Sequence, residues 1–270
     1  MKVFTSNQNK KLSKVVFNFV DDLSYAEFRK ALRNKDVKVN GKRVSCDVDV
    51  LVGDTIEIYY KPTQKESYSV IFEDQNILVI NKKSGYTSES VFEDLSKKYS
   101  GVGFIHRLDR NTSGLMIFSL NATAEKELLD GFKNHTFIKE YLAEVVGVPR
   151  ERQAFLEGYL LKDKNASTVK IYDKQVKGSV YIKTGYKVVK TSQKTSTLQV
   201  RLYTGKTHQI RAHLSYIGHP IVGDGKYGDN EINRKLGKKE QQLISFRLTL
   251  FFSKDQALFY LNQKQFEIKE

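Results

Sequence analysis

The sequence predicts an α+β protein whose larger part is a mixed, mostly antiparallel β-sheet with added helices. Over residues 154–266 short alternating or apolar segments dominate and one helix is clear, so strands outnumber helices and do not alternate regularly with them. The first quarter of the chain reads separately as a helix, a hairpin and a further strand. A polar stretch with a proline at 61–67 separates these parts. We therefore expect a small α/β domain at 12–62 and a larger domain at 68–270.

Bulk composition is typical of a folded protein that binds a polyanion. The 270 residues are 40% hydrophobic, and no run approaches the roughly 20 apolar residues that span a bilayer, so no membrane association is expected. Cys46 is the only cysteine, which excludes an intrachain disulfide and fits a reducing, cytoplasmic setting. The net charge of +14 favours nucleic acid as the partner, without separating RNA from DNA or from an acidic protein. A monomer is expected.

Local signals predict the elements of the small domain in order. Residues 1–12 are polar, and we expect no regular structure there. A capping box at 24–27 precedes apolar residues at helical spacing. Asn-Gly at 40–41 joins two alternating runs, which is the strongest short-range signal for a β-hairpin. Two more strands are predicted at 44–50 and at 55–60.

The order helix, hairpin, strand resembles the S4 RNA-binding domain, as do the strings Val39-Asn40-Gly41-Lys42 and Gly53-Asp54. The resemblance implies a basic surface that contacts RNA phosphates without reading sequence. The alternative is a solvated charged face, because residues 1–62 hold 12 Lys and Arg against 8 Asp and Glu, a net charge of +4. The candidate RNA contacts of this domain are Arg29, Lys30, Arg33, Lys42 and Arg43.

Periodicity and capping signals predict the first elements of the large domain and its clearest later helix. Thr207 is expected to cap that helix, and Gly218 and Pro220 to end it. The predicted elements are buried strands at 70–72 and 77–80, a helix opened by a capping box at 90–93, a helix over 124–134, a strand at 139–145 and the helix at 207–217.

The most informative string is His-Arg-Leu-Asp-Arg-Asn-Thr-Ser-Gly-Leu at 106–115. It places Asp109 between two arginines, with turn-forming residues and an apolar run behind it. A carboxylate presented in this way from a loop can be held ionised, while the guanidiniums meet phosphates or bases. A lone Asp in a loop more often bonds its own backbone, so catalysis is favoured only by the full string together with a second motif.

That second motif is Gly-Lys-Thr-His-Gln-Ile-Arg-Ala-His-Leu at 205–214. His208 and Arg211 are three residues apart on the predicted helix and therefore share a face, although an isolated arginine there would more often be exposed. His208 and His213 point apart and lack a Cys partner, so no metal site is predicted. No glycine-rich phosphate-binding fingerprint occurs, which favours a reaction without a cofactor.

Both strings resemble the motifs of the RluA-type pseudouridine synthases, and the resemblance extends over nearly the whole chain. It implies the pseudouridine synthase fold and the isomerisation of uridine in RNA to pseudouridine. It also implies that Asp109 is the essential carboxylate, that Arg211 pairs with it, and that Tyr141, in Lys-Glu-Tyr-Leu-Ala, stacks on the target uracil. The further RNA contacts that we expect are Arg107, which would displace the base, and His106, Lys82, Lys206, His208 and Gln209.

The residues leave several questions open. An S4-like domain ahead of the catalytic domain resembles the members that act on large-subunit ribosomal RNA, whereas a tRNA-directed synthase is an alternative. A non-catalytic RNA-binding factor of the same fold and a DNA-binding protein are further alternatives. Whether Asp109 attacks the ribose or deprotonates it is also left open.

Overall fold

The computed structural model describes residues 1–20, 23, 25–60, 66–163 and 167–268. The chain divides into two compact units, Met1–Glu66 and Ser67–Glu270. Ser24 of the predicted capping box and residues 61–65 of the predicted linker lie outside the described residues. Among the helices that are described, none has both the length and the apolar character needed to cross a lipid bilayer.

The first unit is a small α/β arrangement whose helices and sheet share one apolar core, which contains Leu12, Val16, Phe28 and Ile56. Its main sheet is antiparallel, in the order β1-β6-β3-β4, and β2 pairs with β5. The elements are β1 (Lys2–Thr5), β2 (Lys10–Lys11), α1 (Leu12–Phe19), α2 (Tyr25–Arg33), β3 (Val37–Val39), β4 (Lys42–Val44), β5 (Asp49–Val50) and β6 (Thr55–Ile58).

The predicted helix and hairpin of this unit are confirmed, and both residues of the Asn40-Gly41 turn have the positive φ that a two-residue hairpin turn needs. The expectation that residues 1–12 lack regular structure is wrong. Strand β1 pairs with β6 at the sheet edge, where mostly exposed side chains hide a strand from sequence patterns.

The prediction of one strand over 44–50 is also wrong. Strand β4 ends at Val44, and of residues 45–50 only Asp49–Val50 forms a strand, which pairs with β2. The intervening segment instead satisfies the amino-terminal end of α1. Asp47 accepts hydrogen bonds from the backbone N–H and the hydroxyl of Ser13, at 2.8 and 2.7 Å. A residue 34 positions away thus does the work of a local cap, which the helix lacks.

The second unit is built on an 11-stranded sheet with the path β13-β12-β14-β15-β11-β16-β10-β8-β7, to which β9 and β17 add at the side. Of the pairings in the described chain, β10 with β16 is parallel and the others are antiparallel, so the predicted α+β, mixed, mostly antiparallel fold is confirmed. The elements are β7 (Tyr68–Glu73), β8 (Ile77–Lys82), α3 (Ser88–Ser96), β9 (Gly103–Phe104), β10 (Ser113–Ser119), α4 (Ala122–Lys133), β11 (Ile138–Val146), β12 (Gln153–Asp163), β13 (Thr168–Tyr172), β14 (Val180–Thr191), β15 (Thr195–Leu202), α5 (Gln209–Tyr216), α6 (Asn230–Lys235), β16 (Leu243–Thr249), a 3₁₀ helix (Ala257–Leu261) and β17 (Gln265–Glu267).

Three local predictions in this unit need correction. Strand β7 is the edge of the sheet and is largely exposed, so only β8 is the buried strand that was expected. Helix α3 begins earlier than its capping signal indicated, because Thr87 accepts from the backbone N–H of Ser90. Helix α5 follows His208, whose backbone is left-handed, and Thr207 does not cap it.

One glycine decides how the 106–115 loop joins the sheet. Gly114, the second residue of β10, has a φ of +119°, and a Cβ built on it would lie 2.3 Å from the backbone oxygen of Ser245 on β16. Only glycine tolerates both this φ and this close approach. The loop can therefore dock directly against β16, beside the register position where Ser245 pairs with Tyr141.

Candidate active site

Asp109 lies in the loop between β9 and β10, and neighbouring groups fix that loop at both sides. The hydroxyl of Ser88 accepts from the N–H of Leu108 and donates to its carbonyl, each at 2.9 Å. On the other side, the backbone oxygen of Arg110 accepts from the N–H of Gly85 at 2.9 Å. The carboxylate is thus presented from a rigid loop, which is the arrangement that catalytic geometry requires.

The interpretation of Lys82 as an RNA contact is wrong. Its side chain is 0% exposed, and its ammonium donates to the backbone oxygens of Lys83, Tyr86 and Arg110 at 2.9–3.1 Å. Burial lowers the pKa of Lys82 to about 8, while the charge of Asp109 acts in the opposite direction. Lys82 therefore stabilises the loop that carries Asp109 through these backbone hydrogen bonds instead of facing a ligand.

Arg211 holds two carboxylates at once. Its Nη1 donates to Oδ2 of Asp109 at 2.8 Å, and its Nε and Nη2 donate to the two oxygens of Asp224 at 2.7 and 2.9 Å. Arg211 is 6% exposed and Asp224 is 0% exposed. Burial would raise the pKa of Asp224, but Arg211 and the backbone N–H groups of Lys226 and Tyr227 outweigh it, so that this pKa is lowered. The guanidinium is consequently fixed in one orientation toward Asp109.

His208 approaches the same oxygen from the other side, with Nε2 at 3.7 Å from Oδ2 of Asp109. Its Nδ1 lies 2.9 Å from the hydroxyl of Tyr227, and that hydroxyl already accepts from the N–H of Val169. When the Tyr227 hydroxyl donates to Nδ1, the Nε2 nitrogen carries the ring hydrogen and faces the carboxylate. Burial lowers the pKa of His208, which favours the neutral ring.

Tyr141 lies on β11 and is 7% exposed. Burial raises the pKa of its phenol to about 12, a hydrogen bond with Ser245 acts against this, and the charge of Asp109 adds to it. The phenol is therefore protonated at neutral pH. It can pack against a base or donate a hydrogen bond, and it cannot serve as a ready proton acceptor.

These groups meet at a cavity of about 430 Å³, within the size range of small-molecule sites. Asp109 is the one carboxylate among its described lining residues, whereas five Lys and Arg line it. The wall is formed by Ile105, His106, Arg107, Leu108, Asp109, Thr112, Leu129, Phe132, Lys133, His135, Lys139, Tyr141, Leu202, Gly205, Lys206, Thr207, His208, Gln209, Ile210, Arg211 and Leu243.

Of the other RNA contacts predicted in this unit, two lie at the rim of the cavity and one forms part of its wall. Arg107 and Lys206 are exposed at the cavity, and Arg107 pairs with Glu89 at 3.3 Å. His106 is part of the wall: its Nε2 accepts from the N–H of Ile117 at 3.2 Å, and burial lowers its pKa to about 3. The His106 ring stacks on Phe132, with ring centres 4.4 Å apart.

The interpretation of Gln209 as an RNA contact is wrong. The side chain is 2% exposed, and its Nε2 donates to the backbone oxygen of Lys183 and to the hydroxyl of Thr184 at 3.1 and 3.0 Å. Its Oε1 accepts from Thr204 and from the N–H of Lys206. Gln209 therefore ties the Gly205 turn to the sheet.

In the first unit, the five basic residues proposed for RNA all have exposed side chains. Arg43 also donates to the backbone oxygen of Lys35 at 3.0 Å, which ties the hairpin to the end of α2. The S4-like character of this unit and its role in RNA binding stay predictions. The residues concerned are Arg29, Lys30, Arg33, Lys42 and Arg43.

Sequence reasoning missed Asp224 and Tyr227, although a signal was present. They lie in Gly-Asp-Gly-Lys-Tyr-Gly at 223–228, and a Cβ on Gly223 or Gly228 would meet backbone oxygens at 1.9 or 2.4 Å. Three glycines within six residues, around one acid and one aromatic residue, indicate a tight turn. In the structure this turn buries Asp224 and partly buries Tyr227. Their partners, Arg211 and His208, are on a different element and were beyond the reach of a local pattern.

His213 gives a testable pH dependence. Its Nδ1 lies 3.1 Å from the hydroxyl of Thr184, and burial lowers its pKa to about 4. The unfolded chain protonates its histidine near pH 6.5, so this histidine's contribution is complete above that pH and is lost as the pH falls toward 4. Between pH 7 and pH 5 the free energy of unfolding should drop by about 2 kcal/mol from this group. Urea unfolding of the wild type and of His213→Gln should show a shallower drop in the variant; parallel pH curves would contradict the assignment.

Comparison with known proteins places this site in a family. The sequence pattern of the RNA pseudouridylate synthase family matches residues 76–216, which include Asp109, Tyr141 and Arg211. The chain is 32% identical over 241 residues to ribosomal large subunit pseudouridine synthase D of Buchnera aphidicola, covering 81% of this chain and 75% of that protein. The chain belongs to the RluA-type family of RNA pseudouridine synthases. The prediction of an RNA pseudouridine synthase is thereby confirmed.

Two further comparisons bear on this RluA-type synthase. It is 32% identical over 249 residues to the mitochondrial tRNA pseudouridine(32) synthase of Saccharomyces cerevisiae, covering 87% of this chain and 54% of the yeast protein. The structure of human RNA pseudouridylate synthase domain containing 1 matches with a TM-score of 0.64 and 26% identity, covering 73% of this chain and 84% of that one. The predicted pseudouridine synthase fold is confirmed.

Proposed function

We propose that this synthase isomerises uridines of large-subunit ribosomal RNA, with Asp109 as the catalytic carboxylate. The supporting observation is the 2.8 Å hydrogen bond from Arg211 to Asp109 at a basic cavity that Tyr141 also lines. An ionised carboxylate is stabilised there by a guanidinium that Asp224 holds in place. A protein that merely bound RNA would gain nothing from a carboxylate placed against phosphates.

The reaction rearranges bonds within one nucleotide. The bond from N1 of uracil to C1′ of the ribose breaks, the base turns, and C5 joins C1′; the hydrogen leaves C5 and N1 gains one. Asp109 acts on the ribose, at C1′ as a nucleophile or at C2′ as a base. Arg211 and the Nε2 side of His208 both approach Oδ2, so we assign Oδ1 to the reaction. Tyr141 supplies the ring against which the uracil packs.

The uridine must leave its stack before the reaction, because stacking hides C5 and the sugar carbon. Displacement costs a few kcal/mol, which contacts to the protein must offset. Arg107 is suited to take the place of the base, since its side chain is exposed at the cavity next to the Asp109 loop. Its weak surface pairing with Glu89 is easily exchanged for RNA.

Ribosomal RNA is favoured by the N-terminal basic unit and by the similarity to the large subunit synthase of Buchnera. Transfer RNA is the second candidate, because the yeast relative of equal identity is named for a tRNA position. Incubating unmodified transcripts of both RNAs with the protein, followed by carbodiimide labelling and primer extension, should reveal new pseudouridines in the ribosomal transcript. Modification of tRNA alone would contradict the ribosomal assignment, and modification of neither would contradict the activity.

Arg211→Lys tests the ion pair directly. Lysine keeps the charge but cannot donate in fork geometry to Asp224 while reaching Asp109. We expect the single-turnover rate of pseudouridine formation to fall about 100-fold or more, since misplacement by 1 Å can cost that much. RNA affinity, measured by filter binding, should change little. An unchanged rate would remove Arg211 from the active site.

A further inference from the structure

The cavity has a second, basic part beyond Asp109, formed by Lys139, Lys206 and His135. Lys139 lies two residues before Tyr141 on β11, so the two side chains leave the same face of the strand about 6.6 Å apart. The ammonium of Lys139 lies 5.4 Å from the centre of the Phe132 ring. All three groups line the same cavity, and after burial the charges of Lys139 and Lys206 both lower the pKa of His135.

The two lysines have no anionic partner in the described part of the chain. Neither Lys139 nor Lys206 forms an ion pair there, and Asp109, the one carboxylate of the described cavity wall, is bound by Arg211. Burial lowers the pKa of Lys139, so its charge is held in the cavity at a cost to folding. A Cβ on Gly205 would contact the Lys139 Nζ at 3.4 Å, so the glycine keeps a side chain away from this charge.

We propose that this part of the cavity binds the phosphodiester that adjoins the target uridine, with Lys139 and Lys206 as its cationic ligands. The inference rests on the proposed function and names what holds the sugar-phosphate end of the flipped nucleotide. The base packs at Tyr141 and the phosphate lies one strand repeat away at Lys139, so that β11 fixes the two ends of one nucleotide. The ribose between them is then held against Asp109.

The test replaces the charge and keeps the length of the side chain. Lys139→Met should weaken the binding of a short, fluorescently labelled oligouridylate about tenfold or more, since hydrogen bonds to charged groups contribute at that level. The slope of log affinity against log KCl should fall by about 0.7. The matched control is Lys187→Met, an equal change on exposed Lys187 of β14, which should alter neither quantity. An oligouridylate with uncharged methylphosphonate linkages should bind the wild type and Lys139→Met equally.

A structural role for Lys139 makes the opposite prediction for stability. If Lys139 served only to pack on Phe132, its loss would lower the urea midpoint of unfolding. We expect Lys139→Met to raise the midpoint, because it removes a half-buried charge from the folded state. Weaker RNA binding in a more stable protein would support a phosphate site; weaker binding in a less stable one would overturn it.

The inference and the proposed function fail separately. Wild-type affinity and salt dependence in Lys139→Met would overturn the phosphate site, even while the wild type forms pseudouridine and Asp109→Asn does not. If the wild type binds oligouridylate through Lys139 and forms no pseudouridine in any transcript, the proposed function is wrong and the RNA phosphate site stands. No measurable binding of oligouridylate to the wild type at low salt would also overturn the phosphate site.

Discussion

Asp109→Asn is expected to reduce pseudouridine formation at least about 1,000-fold, because a carboxylate that acts on the ribose has no substitute in the described cavity wall. Asparagine retains an oxygen that can accept from Arg211, so the site should keep its geometry while it loses its chemistry. RNA affinity should remain within about threefold, since replacing one partly exposed carboxylate by an amide leaves the surface cations in place. Single-turnover assays by carbodiimide labelling, with filter binding in parallel, measure both quantities.

The matched control for this variant is Asp130→Asn, the same change at an exposed position of α4. It should leave both the rate and the affinity unchanged, which separates loss of the catalytic group from loss of one negative charge. Normal turnover in Asp109→Asn would refute the mechanism proposed for Asp109. A loss of RNA binding equal to the loss of rate would instead make Asp109 a binding residue.

Asp224→Asn should have the largest effect on stability. Arg211 would keep its buried charge and lose the carboxylate that accepts from two of its nitrogens. Breaking a buried ion pair from one side costs about 3–5 kcal/mol. Arg211 would keep only Asp109 as an anionic partner. Urea unfolding should show this loss. The double variant Arg211→Met/Asp224→Leu should recover much of it, since two apolar side chains can replace a buried pair at little cost.

Asp224 should also act on the reaction, through Arg211. Asp224→Asn is expected to lower kcat with little change in KM, because RNA contacts are elsewhere and only the orientation of Arg211 toward Asp109 is disturbed. A single variant as stable as the wild type, or a double variant that is less stable than either single one, would contradict the ion-pair account. A change confined to KM would contradict the positioning role.

The sequence predicted the fold class and the meeting of Asp109 with Arg211, which are 102 positions apart. Strands and helices with strong periodicity, such as β8, α4 and β11, were predicted from local pattern alone. The resemblance of two motifs then paired the loop with the helix. No local pattern could have paired them, because a sequence records spacing along the chain and not distance across a sheet.

The errors share one physical cause. A local sequence pattern records neither the direction in which a side chain points nor the residues that it contacts from distant parts of the chain. Lys82 and Gln209 lie in motifs suited to RNA, yet the fold turns both inward onto backbone oxygens. Asp47 was predicted to be part of a strand. Its hydrogen bond with the start of α1 could not be foreseen, because the two lie far apart in the sequence. Asp224 was missed because residue type alone does not distinguish a buried aspartate from an exposed one. The distinction requires knowledge of its partner, Arg211.

The parallel pairing of β10 with β16 affects how the enzyme folds during its synthesis. Strand β10 follows the Asp109 loop and pairs with a strand about 130 residues later in the chain, where Ser113 is opposite Ile244. Contacts this distant along the chain form slowly, since a long loop must close before they bring any gain. We therefore expect a nascent chain to stay inactive until β16 has left the ribosome, and a truncation before Leu243 to be unable to dock the Asp109 loop.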